Sequence, residues 1–123
     1  MAAGCHHGVV RPTALVVDDH ESFRRFASRL LVAAGYDVIG EAGTAAAAVE
    51  AARRLRPALV LLDVLLPDGD GIEAADRLTD LVGTRVLLTS SRSRADFGTA
   101  LADRWFMAKS DLTIARLASA TDG

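Results

Sequence analysis

Residues 58–71, ALVLLDVLLPDGDG, contain the most hydrophobic short run of the chain and lead directly into a loop. Five consecutive apolar residues come first, followed by Asp63 and then by a segment with proline and glycine. A short apolar run bounded by a turn signal is typical of a strand buried on both faces, as in a parallel sheet. We therefore predict a strand over 58–62 that ends at Asp63, and a helix that begins after Gly71.

Strand-like and helix-like segments alternate on both sides of this stretch. The other predicted strands are short apolar or mixed runs at 14–17, 37–42, 86–88 and 106–108. The mixed run is more polar than the others, which favours an edge of the sheet. Helical segments lie between and after the strands, and the fourth of them is short. This alternation predicts an α/β domain of the (βα)5 type, with a parallel sheet and helices on both faces.

Polar residues and glycines mark the predicted helix ends. Thr44 is expected to cap the second helix, and Gly83 to end the third. Ser93 and Asp96 are a predicted capping pair for the fourth helix, and Ser110 a predicted cap for the last. In the first helix, apolar residues recur at helical spacing and arginines occupy the other side: Phe23, Phe26, Ala27, Leu30, Leu31 and Ala34 against Arg24, Arg25 and Arg29.

The composition is that of an ordinary globular domain. The chain has 123 residues, of which half are hydrophobic and 24% charged, and its formal net charge is −2. This balance leaves no basic stripe for phosphate backbones, so we predict no direct nucleic-acid binding. No apolar stretch approaches the roughly 20 residues of a membrane span, and the single cysteine, Cys5, favours a reducing compartment. We therefore expect a cytoplasmic protein without membrane contact.

Polar residues follow four of the predicted strands, at the point where each strand ends. They are Asp18 with Asp19, Asp63, Thr89 and Lys109. Ligands of open α/β sheets bind beyond the carboxyl ends of the strands, so these side chains are expected to converge on one pocket. Clustered carboxylates repel one another unless a cation lies between them, and oxygen ligands suit Mg²⁺. A carboxylate nucleophile with a hydroxyl donor and a mobile ammonium favours phosphoryl transfer.

This ordered set of residues resembles the receiver domains of bacterial response regulators, the CheY-like fold. The resemblance covers about residues 13–118 and rests on Asp18, Asp19, Asp63, Pro67, Gly71, Thr89 and Lys109. It implies a doubly wound, flavodoxin-like parallel sheet of five strands in the order 2-1-3-4-5. It also implies a receiver domain over 13–120, with a flexible N-terminal tail over 1–12 and a short tail over 121–123.

The resemblance implies a role for each residue of the set. Asp63 is the expected phosphoacceptor, and Thr89 and Lys109 are expected to bind the phosphoryl oxygens. Mg²⁺ is the expected cofactor. Its implied ligands are Asp19, Asp63, the backbone carbonyl of Leu65 and, mainly through water, Asp18.

The implied mechanism is a switch driven by phosphorylation. The donor is a sensor histidine kinase or a histidine phosphotransfer protein, and a downstream effector protein reads the output. Thr89 is expected to move inward, and Phe106, at the place of the family's switch aromatic, to change rotamer with it. The domain phosphorylates and dephosphorylates itself but is not expected to be an enzyme for other substrates. Many receivers dimerise through the fourth helix, fifth strand and fifth helix, so a homodimer is one expected assembly.

Three features depart from the family pattern. The segment between Thr89 and Lys109 is short, so the fourth helix is expected to be curtailed by about a turn. Trp105 is expected to fill the space left by that helix rather than to anchor a partner. Leu65 is apolar where polar side chains often help water to reach the phosphoryl group, which predicts slow hydrolysis of the acyl phosphate.

Three other interpretations stay open at this stage. A small-molecule binder of the flavodoxin type would need a phosphate-binding loop where Asp18 and Asp19 stand. An aspartyl phosphatase of the haloacid dehalogenase type would need a carboxylate in place of Leu65. A degenerate receiver, acting only as a docking or dimerisation module, is favoured by the short fourth helix and disfavoured by the complete acidic set.

Overall fold

A computed structural model describes residues 10–81 and 83–120 of the chain. The predicted tail over 121–123, most of the predicted tail over 1–12 and the predicted helix residue Val82 lie outside the described residues. Within the described part there are seven strands and four α-helices. The strands are β1 (Thr13–Val17), β2 (Asp37–Ala42), β3 (Leu59–Asp63), β4 (Leu65–Leu66), β5 (Gly69–Asp70), β6 (Arg85–Ser90) and β7 (Phe106–Ala108). The α-helices are α1 (Glu21–Ala33), α2 (Ala45–Leu55), α3 (Gly71–Thr79) and α4 (Ile114–Ser119).

Five of the strands form one parallel sheet in the order β2-β1-β3-β6-β7. Without the small hairpin this is the order 2-1-3-4-5, so the predicted topology is confirmed. The hairpin consists of β4 and β5, which pair antiparallel directly after β3. Because the strand order reverses between β1 and β3, the switch point of the sheet lies where those two strands end.

The apolar runs form strands because helices cover both faces of the sheet. Every residue of β3 is buried, as are the last four residues of β1. Alternate residues of a strand point to opposite faces, so β3 contributes Val60 and Leu62 to one core cluster and Leu59 and Leu61 to the other. The first cluster includes residues of α2 and α3, and the second residues of α1 and α4. Each fully buried leucine contributes about 1.5–3 kcal/mol to folding.

The first helix turns the predicted face to the core, with Phe26 and Arg24 as the exceptions. Ala27 and Leu31 are fully buried and anchor α1 against the sheet. Phe26 shares their apolar character but is half exposed, because it lies about 100° around the helix from Ala27. Arg24, predicted on the solvent side, instead reaches across to Glu41 of β2, where its Nε donates to the carboxylate at 2.9 Å.

Two of the predicted helix caps have different outcomes. Thr44 caps α2 as predicted, since its hydroxyl accepts the backbone N–H of Ala47 at 3.0 Å. The prediction that Ser110 caps the last helix is wrong. Ser110 lies inside a short 3₁₀ turn that follows β7, and Thr113 caps α4 by accepting the N–H of Arg116 at 3.1 Å. The 3₁₀ turn uses up the first residues of the predicted helix.

The connection from β6 to β7 has no α-helix among its residues, all of which are described. A four-residue 3₁₀ segment, Arg94–Phe97, stands in place of the fourth helix, so the shortening exceeds the predicted single turn. The predicted pairing of Ser93 with Asp96 is confirmed, because the Ser93 N–H donates to the carboxylate at 3.1 Å. The Arg94 guanidinium then donates to the carbonyls of Ala102 and Arg104 and holds the rest of the connection.

Leu101, rather than Trp105, packs the core on the side of the missing helix. Leu101 is fully buried in the cluster that contains residues of α2 and α3. Trp105 is partly buried against the opposite cluster, where the Arg85 guanidinium lies 4.6 Å from its ring centre. The prediction for Trp105 was therefore wrong in its location. The tryptophan directly precedes β7, and that position directs its side chain to the face covered by α1 and α4.

None of the helices in residues 10–81 and 83–120 is long and apolar enough to cross a membrane.

Candidate functional site

The candidate site lies at the carboxyl ends of β1, β3, β6 and β7. Asp63 is the last residue of β3 and is paired in register with Thr89 of β6. Asp18 directly follows β1, and Lys109 directly follows β7. Parallel strands present these ends at the same edge of the sheet, so four short segments of chain bring their polar residues together.

A single ammonium group joins the two buried carboxylates. Lys109 Nζ lies 2.6 Å from Asp18 Oδ2 and 3.4 Å from Asp63 Oδ2. The Asp18 side chain is fully buried, that of Asp63 is 7% exposed and that of Lys109 is 19% exposed. Buried charges are stable only when they are paired, and here one lysine pairs with two carboxylates. The predicted convergence of these three residues is thus present in the geometry.

The two carboxylates have opposite pKa shifts. The pKa of Asp63 is raised to about 6, first by burial and then by a hydrogen bond with the neighbouring Asp18, which together outweigh the lowering effects of the Leu65 N–H and of Lys109. Burial also raises the pKa of Asp18, but hydrogen bonds from Lys109 and from the His20 backbone outweigh it and hold that pKa below its usual value. Asp18 is therefore the carboxylate that stays ionised. Ionisation of Asp63 costs free energy, because it places a second negative charge beside the first.

The backbone of Asp18 is held by groups that sequence reasoning missed. Its N–H donates to the carbonyl of Ala42 at 3.0 Å, and its carbonyl accepts from Arg24 Nη1 at 2.6 Å. Arg24 is itself oriented by Glu41. The sequence signal for this contact is the position of Arg24, five residues after the acidic pair. Its charge suggested instead that the side chain lies in solvent. Arg24 instead fixes the peptide that carries the buried carboxylate.

His20 contacts both members of the acidic pair. The ring atom Nδ1 lies 3.1 Å from Asp18 Oδ1 and 3.0 Å from Asp19 Oδ1. The backbone N–H of His20 donates to Asp18 Oδ1 at 2.8 Å. Sequence reasoning gave His20 no chemistry, whereas it lines the cleft together with Asp19, Asp63 and Lys109. One potential ligand atom from each of Asp18, Asp19 and His20 lies within 4.8 Å of the others, so the group is close enough together to hold a metal ion.

Thr89 is buried and its hydroxyl has no partner. Its Oγ1 is one of the few buried side-chain atoms without a hydrogen bond among the described residues, although the Thr89 carbonyl accepts the N–H of Val64 at 2.9 Å. An unpaired buried hydroxyl costs about 1–3 kcal/mol, so a bound water molecule, an ion or a ligand group is the natural partner for it. Thr89 is paired with Asp63 in the sheet, so a negatively charged group bound to the Asp63 carboxylate would lie close to Thr89.

The loop after β3 lines one side of the cleft and is fixed at three points. The Leu65 N–H donates to Asp63 Oδ1 at 3.1 Å, and the Gly71 N–H donates to the Val64 carbonyl at 2.7 Å. The Asp68 carboxylate accepts the N–H groups of Ala45 and Ala46 at the start of α2, and these bonds lower the pKa of Asp68. The Leu65 side chain is 52% exposed and lines the cleft, whose volume is about 330 Å³.

Phe106 lies outside the residues that line the cleft. Its ring packs edge-on against Phe97, with centres 6.0 Å apart, and the Arg94 guanidinium lies 5.6 Å from its centre. Phe106 is paired in register with Leu88, one residue before Thr89. The predicted switch aromatic is therefore next to the predicted switch hydroxyl in the sheet and is packed on the connection that replaces the fourth helix.

Comparisons with known proteins show the family to which the chain belongs. Residues 14–106 match the response regulator receiver domain family. The chain belongs to the response regulator receiver family. The signal receiver domain of NarL from Mycobacterium tuberculosis has a similar structure, with a TM-score of 0.76 and 34% identity over 92% of this chain and 94% of that one. The family assignment favours neither the flavodoxin-type nor the haloacid dehalogenase-type interpretation.

Two sequence relatives of this receiver are longer regulators. The response regulator protein VraR of Staphylococcus saprophyticus is 39% identical over 63% of this chain and 38% of its own length. The DNA-binding transcriptional activator DevR/DosR of Mycobacterium tuberculosis is 45% identical over 62% of this chain and 36% of its own length. The chain thus spans about two fifths or less of these curated relatives. Because one relative is named as DNA-binding, the absence of nucleic-acid contact stays a prediction.

Proposed function

We propose that this receiver accepts a phosphoryl group on Asp63 in a Mg²⁺-dependent reaction and passes the signal on by changing conformation. One observation carries the proposal: the Lys109 ammonium reaches both Asp63 and Asp18 at the ends of three different strands. A buried carboxylate beside a lysine ammonium, with an unpaired hydroxyl on the next strand, suits a nucleophile whose product carries additional negative charge.

The donor set fits Mg²⁺. Asp18, Asp19 and Asp63 supply only oxygen atoms, and three carboxylates near one ammonium leave excess negative charge. Asp19 would hold the ion directly with Asp63 and the carbonyl of Leu65, and Asp18 mainly through water. When bound, the ion supplies positive charge that favours the ionised form of Asp63 and neutralises phosphoryl oxygens.

The proposed transfer forms a mixed-anhydride (acyl phosphate) bond on Asp63 and breaks one bond in the donor. A carboxylate oxygen of Asp63 attacks the phosphorus of a phosphohistidine, an O–P bond forms and the N–P bond breaks. The electron pair of the N–P bond returns to the imidazole of the donor. Lys109 and Thr89 then donate to the phosphoryl oxygens, which carry a charge of about −1.5 to −2. Hydrolysis of the acyl phosphate by water returns Asp63 to its carboxylate.

The switch is proposed to be a shift between two populated arrangements. Contacts of the phosphoryl group with Thr89 and Lys109 exist only in the active arrangement and so favour it. Inward movement of Thr89 is proposed to let Phe106, which lies one register position away on the adjacent strand, leave its packing on Phe97 and Arg94. The connection that holds these two residues would then change shape and present a different surface to an effector.

The proposed partners follow from family membership. A sensor histidine kinase or a histidine phosphotransfer protein donates the phosphoryl group, and a downstream effector reads the output, in the cytoplasm. A second copy of the chain is a further proposed partner through the face around β7. The degenerate receiver is the alternative, and only the short β6–β7 connection favours it.

A phosphorylation assay tests the proposal. Incubation with Mg²⁺ and acetyl phosphate or phosphoramidate is expected to add one phosphoryl group to the chain, because these donors contain a labile O–P or N–P bond. Intact-mass analysis measures the gain. Asp63→Asn keeps the size of the side chain but removes the nucleophile, so this variant and a sample with excess chelator are expected to show no gain.

The controls distinguish a receiver that is phosphorylated on Asp63 from a docking module that is not phosphorylated. A mass gain that persists in Asp63→Asn would place the modification elsewhere and contradict the proposed acceptor. No gain in the native chain, with either small donor or with a phosphohistidine protein, would favour the docking module.

Replacing Leu65 with glutamine is expected to speed loss of the phosphoryl group several-fold. Leu65 is half exposed at the mouth of the cleft, and an amide there can hydrogen-bond a water molecule near the phosphorus, which leucine cannot. Decay of the phosphorylated protein after removal of the donor measures the rate. Val32→Gln, at a half-exposed position on α1, is the matched control. Decay of the native acyl phosphate within seconds at neutral pH would contradict slow hydrolysis.

A further inference from the structure

Lys109 is held by an aromatic ring as well as by carboxylates. Its Nζ lies 4.1 Å from the centre of the Phe23 ring, besides its 2.6 Å contact with Asp18 Oδ2. A cation within about 6 Å of an aromatic centre is attracted by the negative face of the ring, and the attraction grows when water is excluded. With its side chain only 19% exposed, Lys109 meets both conditions.

We infer that Phe23 is a positioning residue, which holds the Lys109 ammonium in the site by a cation–π contact. In the proposed phosphorylation of Asp63, on which this role rests, the contact keeps the ammonium available for the phosphoryl group. Sequence reasoning placed Phe23 only among the apolar residues of the first helix, so this role was not part of the predicted site.

A ring and a carboxylate hold an ammonium in different ways. A carboxylate accepts N–H hydrogen bonds, so Lys109 must break its bond to Asp18 before it donates that hydrogen to a phosphoryl oxygen. A ring attracts the charge without a directional acceptor, so it leaves the three N–H donors of the ammonium available. Phe23 therefore still attracts Lys109 after it leaves Asp18, when the ammonium has lost its nearest carboxylate and the attraction of the ring counts most, and so lowers the cost of that movement.

The packing of α1 fixes the place of the ring. Phe23 is partly buried against the core cluster that contains Ala27 and Leu31, the two fully buried residues of the helix. It lies one helical turn before Ala27, on the same side of α1. Phe26, with its ring centre 6.2 Å from that of Phe23, is half exposed, and it is the Phe23 ring on which the Lys109 ammonium lies. The two phenylalanines thus form a matched pair for experiments.

The sequence provides a direct spectroscopic test, because Lys109 is the only lysine of the chain. Protein labelled with ¹³C at the lysine ε carbon gives one side-chain lysine resonance. The ring current of Phe23 is expected to shift its attached protons upfield. The shift should disappear in Phe23→Leu and persist in Phe26→Leu. A resonance that is the same in native protein and Phe23→Leu would overturn the inference, whatever the protein does with phosphoryl donors.

A series of fluorinated phenylalanines at position 23 tests the functional consequence without changing the packing. Each added fluorine weakens the negative face of the ring and hardly alters its shape. Affinity for beryllofluoride with Mg²⁺, an analogue of the bound phosphoryl group, is expected to fall stepwise along the series. The loss for Phe23→Leu is expected to be about threefold to thirtyfold. Melting curves check that each variant is folded.

The outcomes distinguish this inference from the proposed function. Equal affinity along the series, in a protein that binds beryllofluoride, would overturn the positioning role and leave the role of Asp63 intact. A native protein that neither binds beryllofluoride nor gains a phosphoryl group would contradict the proposed function. The contact between Phe23 and Lys109 would then still be decided by the lysine resonance alone.

Discussion

Replacing Gly71 with alanine is expected to lower the free energy of unfolding by about 3 kcal/mol or more and to disturb the site. A β-carbon at this position would lie 2.2 Å from the carbonyl oxygen of Asp63 and 2.8 Å from the Cα of Val64. Both neighbours are backbone atoms, so no side chain can rotate to make room. The chain can only accommodate the methyl group by moving the peptide that carries the proposed phosphoacceptor.

The close approach at Gly71 holds α3 against the end of β3. The Gly71 N–H donates to the carbonyl of Val64 at 2.7 Å, which sets the first turn of the helix on the strand. A displacement of about 1 Å at a reacting group can reduce a rate about a hundredfold. Phosphorylation of Gly71→Ala is therefore expected to fall by more than its loss of stability alone would explain, even in the fraction that stays folded.

Gly69, two residues away in the same loop, is the matched control. No atom lies within 4 Å of a β-carbon built at Gly69, and its φ is outside the left-handed range. Gly69→Ala is expected to change the free energy of unfolding by about 0.5 kcal/mol or less. Urea unfolding followed by circular dichroism compares the two variants. Equal stability of Gly71→Ala and the native chain, or equal damage from both alanines, would show that the close approach does not constrain the fold.

The sheet and the converging site residues were predictable because they depend on local patterns. A strand buried on both faces must be apolar throughout, as β1 and β3 are, so a carboxylate directly after such a run stands out. Parallel topology then places Asp18, Asp63, Thr89 and Lys109 at one edge without further information. The sequence therefore predicts which residues meet, although the distances between them depend on tertiary packing.

The missed features depend on contacts between residues far apart in the chain. Arg24 looked like a surface residue because it is charged, but a long side chain can bury its stem and place its guanidinium on a distant carbonyl. The β6–β7 connection has no periodic apolar pattern, and the bonds from Arg94 to Ala102 and Arg104 substitute for a helix. Leu101 is fully buried there because the folded connection brings it against the core cluster that contains residues of α2 and α3, a contact that its sequence position does not indicate.

Asp63→Asn is expected to stabilise the metal-free protein at neutral pH by up to about 3 kcal/mol. The pKa of Asp63 is raised from 3.8 to about 6, and each pH unit of difference corresponds to about 1.4 kcal/mol. The cause is burial in the first place, followed by the neighbouring Asp18. Asparagine keeps the shape of the side chain but cannot ionise, so it avoids the cost of a second buried anion.

The sign of the pH dependence follows from proton linkage. Between about pH 4 and pH 6 the folded chain holds a proton on Asp63 that the unfolded chain has released. Stability from this group therefore decreases as pH rises through that window and is constant above it. Asp18 acts in the opposite direction at lower pH, because its lowered pKa gives stability that is lost below its usual value of 3.8. Above about pH 4 the difference in stability between the native chain and Asp63→Asn therefore reports on Asp63 and not on Asp18.

Thermal unfolding in chelator between pH 4.5 and pH 8 tests this prediction. The variant should melt on the order of 5–10 °C above the native chain at pH 8, and the gap should narrow towards pH 4.5, where native Asp63 is protonated. A gap that is the same at every pH would mean that ionisation of Asp63 is not its cause. Mg²⁺ is expected to narrow the gap at pH 8 by stabilising the native protein, since a divalent cation offsets the charge that makes Asp63 costly. The unfavourable charge on Asp63, which lowers the stability of the metal-free protein, would then account for the affinity of the protein for the metal.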